Sequence, residues 1–293
     1  MTTALHGIIA YPVTPFTIDG DAIDTGKLAA LIENLVDAGV HAIAPLGSTG
    51  ETAYLSEKEF DTVVDTAVGV VGKRIPVIVG ASDLTTANTI RRARHAERAG
   101  ADAVMILPVS YWKLTDREIA HHYQSVGSAI NIPIMAYNNP ATSGIDMTPE
   151  LLVQMFGEVE NFTMVKESTG DLNRMLRIKE LSGDQLPFYN GSNPLVLDAL
   201  TAGASGWCTA APNLRPQPCL DLYTAVQSGD QARAGRIYDE LAPLLRFIVD
   251  TGLPTAVKAG LDLLGRAVGD PRPPLLPLDS NRRTELAGML TAV

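Results

Sequence analysis

The feature that most constrains this chain of 293 residues is a repeated alternation of short apolar segments with amphipathic helical patterns. Eight apolar segments, from residues 7–16 to residues 206–209, are separated by seven helical patterns. Consecutive segments lie about 25 to 35 residues apart, which is the length of a strand plus a crossover helix. Most of them are apolar on both sides, as strands of a covered parallel sheet are. This alternation predicts a (β/α)8 TIM barrel.

An open doubly wound sheet is the alternative fold for the same alternation. Against it, no Gly-x-Gly-x-x-Gly pattern follows the first strand. The pattern beyond the eighth strand is purely helical, with helices expected over residues 217–227, 230–249, 255–264 and 280–289. We therefore divide the chain into a barrel, residues 1–228, and a C-terminal helical extension, residues 229–293.

Charge and cysteine content exclude several classes of function. The chain has 23 Lys and Arg against 33 Asp and Glu, a net charge of −10, which argues against nucleic acid or an anionic membrane as a partner. Its two cysteines, Cys208 and Cys219, form no Cys-x-x-Cys pair, so neither a zinc site nor a disulfide framework is expected. The N-terminus lacks a signal-peptide pattern, and no apolar run approaches the roughly 18 residues of a membrane span. We expect a cytoplasmic protein.

The sixth strand carries the most informative side chain. The segment 162–169 has the apolar and β-branched composition of a buried strand, and Lys166 lies near its C-terminal end. Burial disfavours the charged form of an amine, and a neutral amine is a nucleophile that forms a Schiff base with a ketone. The alternative is that Lys166 lays its stem on apolar surface and keeps its ammonium group in water.

Polar residues follow the other strands at the same end of the barrel, where TIM-barrel active sites are built. We expect them to converge with Lys166 on one pocket; they are Tyr11, Thr14, Ser48, Thr49, Glu51, Tyr137, Asn138, Glu167, Ser168, Asn190, Gly191 and Ser192. Lys258, on a C-terminal helix, is expected to pack or form an ion pair rather than react. The histidines do not cluster with carboxylates at the spacing of a metal site.

Two motifs support the pocket. Gly47-Ser-Thr-Gly-Glu51 places two hydroxyls between two glycines, so its amides and hydroxyls could hold a small anion such as the carboxylate of a 2-oxo acid. Its alternative is a plain strand-to-helix turn. Tyr137, at the end of the fifth strand, could move protons to and from a carbinolamine, or could be a core aromatic with a wet hydroxyl.

These motifs, together with Tyr137-Asn-Asn-Pro140, Gly144 and Val165-Lys-Glu-Ser-Thr-Gly170, resemble the dihydrodipicolinate synthase and N-acetylneuraminate lyase family over nearly the whole chain. The resemblance implies a class I lyase without metal or organic cofactor. By the same resemblance Lys166 forms an imine with a 2-oxo acid such as pyruvate, and Tyr137 is the acid and base. Ser48 relays protons, Thr49 binds the carboxylate, and the backbone of Gly47 and Gly191 lines the site; Cys208 is a further lining candidate.

The resemblance also implies a homotetramer, built as a dimer of dimers, in which a neighbouring subunit donates a relay tyrosine. The corresponding segment here is Pro108-Val-Ser-Tyr-Trp112. Tyr111 is the candidate for that role, and Ser110 is the alternative.

Departures from the family pattern bear on the substrate. Dihydrodipicolinate synthases carry a pattern similar to Tyr-Asn-x-Pro-x-Arg-x-Gly after the fifth strand. By this resemblance, Thr142 takes the place of the arginine that binds a second carboxylate. Sialic acid lyases carry an acidic pair after the glycine of the seventh strand, whereas Gly191 is followed here by Ser192. The remaining expectation is a catabolic member: a 4-hydroxy-pyrroline-2-carboxylate deaminase, or an aldolase or dehydratase of 2-keto-3-deoxy sugar acids. Synthase-type condensation of pyruvate is the alternative reaction. A phosphate-binding barrel and a non-catalytic relative are the rival hypotheses.

Overall fold

The computed structural model describes residues 5–291. Its eight strands all pair in parallel, in the order β2-β1-β8-β7-β6-β5-β4-β3, and a further parallel bridge joins Ile43 to Val77 just before β3. The strands are β1 Gly7–Ala10, β2 Ala42–Ile43, β3 Ile78–Gly80, β4 Ala103–Ile106, β5 Ile134–Asn138, β6 Phe162–Glu167, β7 Phe188–Asn190 and β8 Gly206–Thr209. The bridge closes the sheet, and the predicted (β/α)8 TIM barrel is confirmed.

Helices connect each strand to the next on the outside of the barrel. They are α1 Thr25–Asp37, α2 Glu57–Val71, α3 Thr86–Ala99, α4 Asp116–Gly127, α5 Pro140–Ser143, α6 Pro149–Glu158, α7 Leu172–Ser182 and α8 Val196–Thr201. The one-turn helix α5 lies in the connection after β5. Capping boxes begin α2 at Ser56 and α4 at Thr115, where each hydroxyl accepts from the backbone N–H three residues later.

Four helices follow β8: α9 Pro216–Gln227, α10 Gln231–Thr251, α11 Leu253–Leu263 and α12 Ser280–Thr291. The segment after α11 returns to the active face of the barrel, where the amide of Phe16 donates to the carbonyl of Val268 at 3.0 Å. A β-carbon on Gly269 would lie 2.7 Å from the carbonyl oxygen of Phe16, so the two backbones pack directly. Within residues 5–291, none of the helices combines the length and the apolar character that a bilayer crossing needs.

Strand side chains alternate between two cores, as the two-residue period of a strand requires. On β6, Met164 joins the packed interior of the barrel, whereas Val165 joins the larger core between the sheet and its helices. By the same alternation, the side chain of Lys166 faces the barrel interior and that of Glu167 faces the surrounding helices. The same parity places Tyr137 of β5 and Cys208 of β8 in the interior. Strand parity therefore decides which of the polar residues at the strand ends can line a pocket.

Candidate active site

The buried amine lies between two phenol rings. Lys166 and Tyr137 are register partners on the paired strands β6 and β5. The Nζ atom of Lys166 is 3.7 Å from the centroid of the Tyr137 ring and 4.1 Å from that of the Tyr11 ring. Its side chain is almost fully buried, with 5% of the residue exposed, so it does not extend into bulk water. The structure thus brings the amine and the phenol together as the motifs predict, while their catalytic roles stay a prediction.

The next pair of residues along β5 and β6 locks these strands together. The Asn138 amide donates to Glu167 Oε2 at 3.0 Å, and the backbone N–H of Thr169 donates to Glu167 Oε1 at 2.7 Å. Arg174 of α7 approaches the same carboxylate at 3.5 Å. Asn138 and Glu167 are fully buried on the helix side of the sheet, so the expectation that they line the pocket was wrong. They instead fix the register that faces Tyr137 toward Lys166.

The hydroxyl of Tyr137 accepts a hydrogen bond from the side-chain amide of Asn139 at 2.7 Å. Burial raises the pKa of Tyr137, but the positive charge of Lys166 and hydrogen bonds from Asn139 and Ser48 outweigh it, and the pKa lies below its ordinary value. Asn139 was not among the predicted site residues, because it occupies the variable position of the Tyr-Asn-x-Pro pattern.

Tyr11, the second phenol beside the amine, has the opposite electrostatic environment. Burial, followed by the proximity of Cys208, raises its pKa well above the ordinary value, and its hydroxyl donates to Met105 Sδ at 3.0 Å. Burial likewise raises the pKa of the Cys208 thiol, although Lys166 and the hydrogen bond with Tyr11 oppose the shift. When the surroundings shift the pKa values of two similar groups in opposite directions, the two groups are expected to have different roles. Tyr137 is therefore the better candidate for proton transfer, and burial favours the neutral thiol of Cys208, whose lining role stays a prediction.

The anion-loop candidate Gly47–Gly50 closes over the same end of the barrel. Ser48–Gly50 forms a 3-10 turn in which Ser48 is half-buried and Thr49 is buried. The Thr14 hydroxyl donates to the carbonyl of Gly50 at 2.6 Å and holds the turn against β1. A β-carbon on Gly47 would lie 2.8 Å from a ring carbon of Tyr11, so a side chain there would collide with the phenol.

Glu51, the last residue of that motif, does not line the pocket, and the expectation that it does was wrong. Its backbone is left-handed at φ 57°, and this turns the carboxylate toward the C-terminal helices. Lys258 of α11 approaches Glu51 Oε1 at 2.7 Å, and the backbone N–H of Arg272 donates to Glu51 Oε2 at 2.7 Å. Both charged side chains are fully buried. The prediction that Lys258 packs or pairs is confirmed, and the C-terminal extension anchors the anion-loop candidate from behind.

Gly191 stands directly against the stem of the lysine. A β-carbon at this position would lie 1.8 Å from Ser168 Oγ and 2.8 Å from Lys166 Cε, so only glycine fits. Ser168 Oγ is buried and has no hydrogen-bond partner among residues 5–291, which leaves it available to a bound molecule. Ser192 is half-buried in the same loop, where its amide donates to the side chain of Asn190 at 3.1 Å.

Two predicted site residues, Tyr111 and Thr142, are exposed rather than buried with this cluster. Tyr111 is 100% exposed on the loop between β4 and α4, next to Trp112 at 79%, so it contacts nothing in the pocket of its own chain. Ser110 is half-buried. Thr142 is exposed on α5. Among residues 5–291, no group of three or more His, Cys, Asp or Glu side chains is arranged to hold a metal ion.

Comparison with known proteins agrees with this architecture. The model of the dihydrodipicolinate synthetase family matches residues 4–293. A 4-hydroxy-tetrahydrodipicolinate synthase of Methylobacterium radiotolerans is 35% identical over 274 residues, covering 94% of this chain and 91% of the relative. A Pseudomonas aeruginosa structure, provisionally named dihydrodipicolinate synthetase, superposes with a TM-score of 0.96 at 55% identity, covering 98% and 99% of the two chains. YagE of Escherichia coli K12, a prophage protein of the same family solved in complex with pyruvate, superposes with a TM-score of 0.93 at 29% identity, covering 99% of each chain. The chain therefore belongs to the dihydrodipicolinate synthetase family.

Proposed function

We propose that this protein is a class I lyase that forms an imine between Lys166 and a 2-oxo acid or a cyclic imine acid. The observation that carries the proposal is the buried amine, held 3.7 Å from the Tyr137 ring on the neighbouring strand. The pyruvate complex of YagE supports a 2-oxo acid as the ligand class, because that protein shares the family and the fold.

The chemistry assigns one role to each group of the cluster. In its unprotonated form, the amine of Lys166 attacks the C2 carbonyl: a C–N bond forms, the C=O π bond breaks, and one proton passes from the nitrogen to the oxygen to give a carbinolamine. Tyr137 then donates its proton to the departing hydroxyl, water leaves, and the imine results. Ser48 passes a proton to Tyr137, Thr49 binds the substrate carboxylate through its amide and hydroxyl, and Gly191 leaves room for the new substituent on Lys166.

The bond that breaks next depends on contacts beyond the imine. Thr142 offers a hydroxyl where an arginine would grip a second carboxylate, and losing a charged hydrogen bond costs about 1.5–3 kcal/mol of binding. This disfavours synthase-type condensation and favours a catabolic substrate, with 4-hydroxy-pyrroline-2-carboxylate deamination first and aldol cleavage or dehydration of a 2-keto-3-deoxy sugar acid second. The synthase reaction remains the alternative, because relatives at 35% identity bear that name.

The exposed aromatic pair Tyr111 and Trp112 supports a subunit contact at the loop after β4. In a homotetramer built as a dimer of dimers, this loop would carry Tyr111 to the active site of a neighbouring subunit as a proton relay. Light scattering tests the assembly, and a Tyr111→Phe variant should lose turnover without losing tetramer.

Reduction with borohydride in the presence of pyruvate tests the central step. The parent protein should gain a stable adduct at Lys166, located by peptide mass spectrometry, whereas Lys166→Ala and the charge-preserving Lys166→Arg should gain none. Full turnover by Lys166→Ala would refute the mechanism. A phosphate-binding or non-catalytic barrel predicts no adduct in any variant.

A substrate panel identifies the reaction. Release of ammonia from 4-hydroxy-pyrroline-2-carboxylate selects the deaminase, release of pyruvate from a deoxy sugar acid selects the aldolase, and loss of water alone selects the dehydratase. Condensation of pyruvate with aspartate semialdehyde as the only activity would overturn the catabolic assignment.

A further inference from the structure

Asn139 makes a contact with the reacting centre that the family motif does not specify. It is the first residue after β5, in the position written x in Tyr-Asn-x-Pro. Its backbone carbonyl accepts from the amides of Thr142 and Ser143, both at 3.0 Å, so the first turn of α5 holds the residue in place. From there its side-chain nitrogen reaches the hydroxyl of Tyr137 at 2.7 Å.

The direction of this hydrogen bond decides what the phenol can do. An amide NH2 group donates and does not accept, so the oxygen of Tyr137 is the acceptor and its own proton must point elsewhere. Ser48 also hydrogen-bonds to the phenol oxygen and lowers its pKa, so the proton is left to point toward the substrate position above Lys166. A donor aimed at the oxygen also stabilises the phenolate more than the phenol, and more so in a buried site.

We infer that Asn139 is a positioning residue that orients the proton of Tyr137 toward the substrate and stabilises its phenolate during proton transfer. The inference rests on the proposed function, since it deepens the role of Tyr137 in imine chemistry. The contact depends on the amide, because an apolar side chain at this position offers no donor.

Three other titratable groups surround Tyr137, and none of them changes when Asn139 is replaced. Lys166 faces it from β6, Tyr11 faces it from just after β1, and Tyr123 of α4 lies behind its backbone. These groups are common to the parent and to every Asn139 variant. A change in the titration of Tyr137 on replacing Asn139 therefore reports the amide itself.

The experiment measures the titration of Tyr137 directly. Tyrosine labelled with 13C at Cζ gives eight signals, and the Tyr137→Phe variant identifies the one of interest. In Asn139→Leu, which keeps the size but removes the donor, the titration of Tyr137 should move up by about one to two pH units, as loss of one hydrogen bond to a charged group predicts. In Asn139→Asp, which places an acceptor of like charge beside the phenolate, it should move up further.

Kinetics supply the second readout. The pH profile of borohydride trapping should shift by the same amount as the Tyr137 signal, with a loss in kcat rather than a rise in KM, because the amide acts on proton transfer. Ser143→Ala is the matched control: it removes a hydroxyl that donates to the Asn139 carbonyl at 3.2 Å but leaves the phenol contact intact, so it should shift neither.

An unchanged Tyr137 titration in Asn139→Leu would overturn the inference. Failure of the proposed function looks different: Tyr137 would still shift, but no adduct would form at Lys166 in the parent protein.

Discussion

Replacing Lys258 with methionine tests whether the C-terminal extension supports the anion loop. The substitution keeps the volume of the side chain and removes the ammonium group that lies 2.7 Å from Glu51 Oε1. Both partners are at most 1% exposed at their side chains, so the remaining carboxylate has no access to water. Burial lowers the pKa of Lys258, and the charge of Glu51 opposes that shift, which is the balance expected of a desolvated pair.

The expected loss of folding stability follows from the charge of Glu51, which stays buried without its partner. Removing one partner of a buried ion pair costs about 3–5 kcal/mol, because the other charge stays buried and uncompensated. Glu51 keeps the hydrogen bond from the Arg272 amide at 2.7 Å, so we expect the low end, about 3 kcal/mol. With an unfolding entropy of about 2.1 cal/mol/K per residue, this corresponds to a fall in Tm of about 5 °C for a chain of this length.

Calorimetry and denaturant titration measure this loss, with two controls. Lys27→Met removes a cation whose partner Asp24 is 3.7 Å away and whose side chain is 41% exposed, so it should cost less than about 1 kcal/mol. The double variant Lys258→Met with Glu51→Gln removes both charges and should recover most of the stability. If Lys258→Met costs no more stability than Lys27→Met, the carboxylate of Glu51 is not left buried and uncompensated as we expect. Because Glu51 then anchors the anion-loop candidate less firmly, the folded fraction of Lys258→Met should also show a higher KM for the 2-oxo acid.

Two further substitutions test the active site and the opposite end of the barrel. Gly191→Ala should abolish borohydride trapping at Lys166 while the protein stays folded, because the new methyl group collides with the lysine stem and with Ser168; trapping at the parental rate would contradict the close contact between Gly191 and the lysine. Burial and the nearby His6 lower the pKa of His41, whose Nδ1 accepts from the amide of Ile8 at 3.1 Å, so protonation on acidification removes an acceptor. The unfolded chain then binds more protons than the folded one, and Tm should fall as pH drops below about 6.5. His41→Gln should lessen that fall, and an equal fall in both proteins would refute this account.

The order of strands and helices was predictable because it depends on local pattern. Apolar runs of four to six residues between amphipathic helices leave few topologies, and parallel strands place their C-terminal ends at one face. The family motifs around Lys166, Tyr137 and Gly47 then placed three loops at that face. For the same reason Gly191 was predicted near the lysine, although the collision that requires a glycine is visible only in three dimensions.

The sequence alone could not assign each polar residue to a side of the sheet. Asn138 and Glu167 stand beside the key residues in the chain, but the two-residue period of a strand turns them to the helix side, where they bond each other. Glu51 belongs to the anion motif by sequence, but its left-handed backbone and a lysine 207 positions later turn it away from the pocket. Asn139 occupies a variable motif position, and only the turn of α5 brings its amide to the phenol.

Local sequence pattern therefore determined the barrel, the position of Lys166 near the end of a strand and the polar residues at the other strand ends. Tertiary structure decided which of those residues meet, because parity, backbone handedness and contacts between distant segments are not properties of any short stretch of chain. The two phenols beside Lys166 show the distinction: they are the same residue type, and their surroundings move the pKa of one down and of the other up.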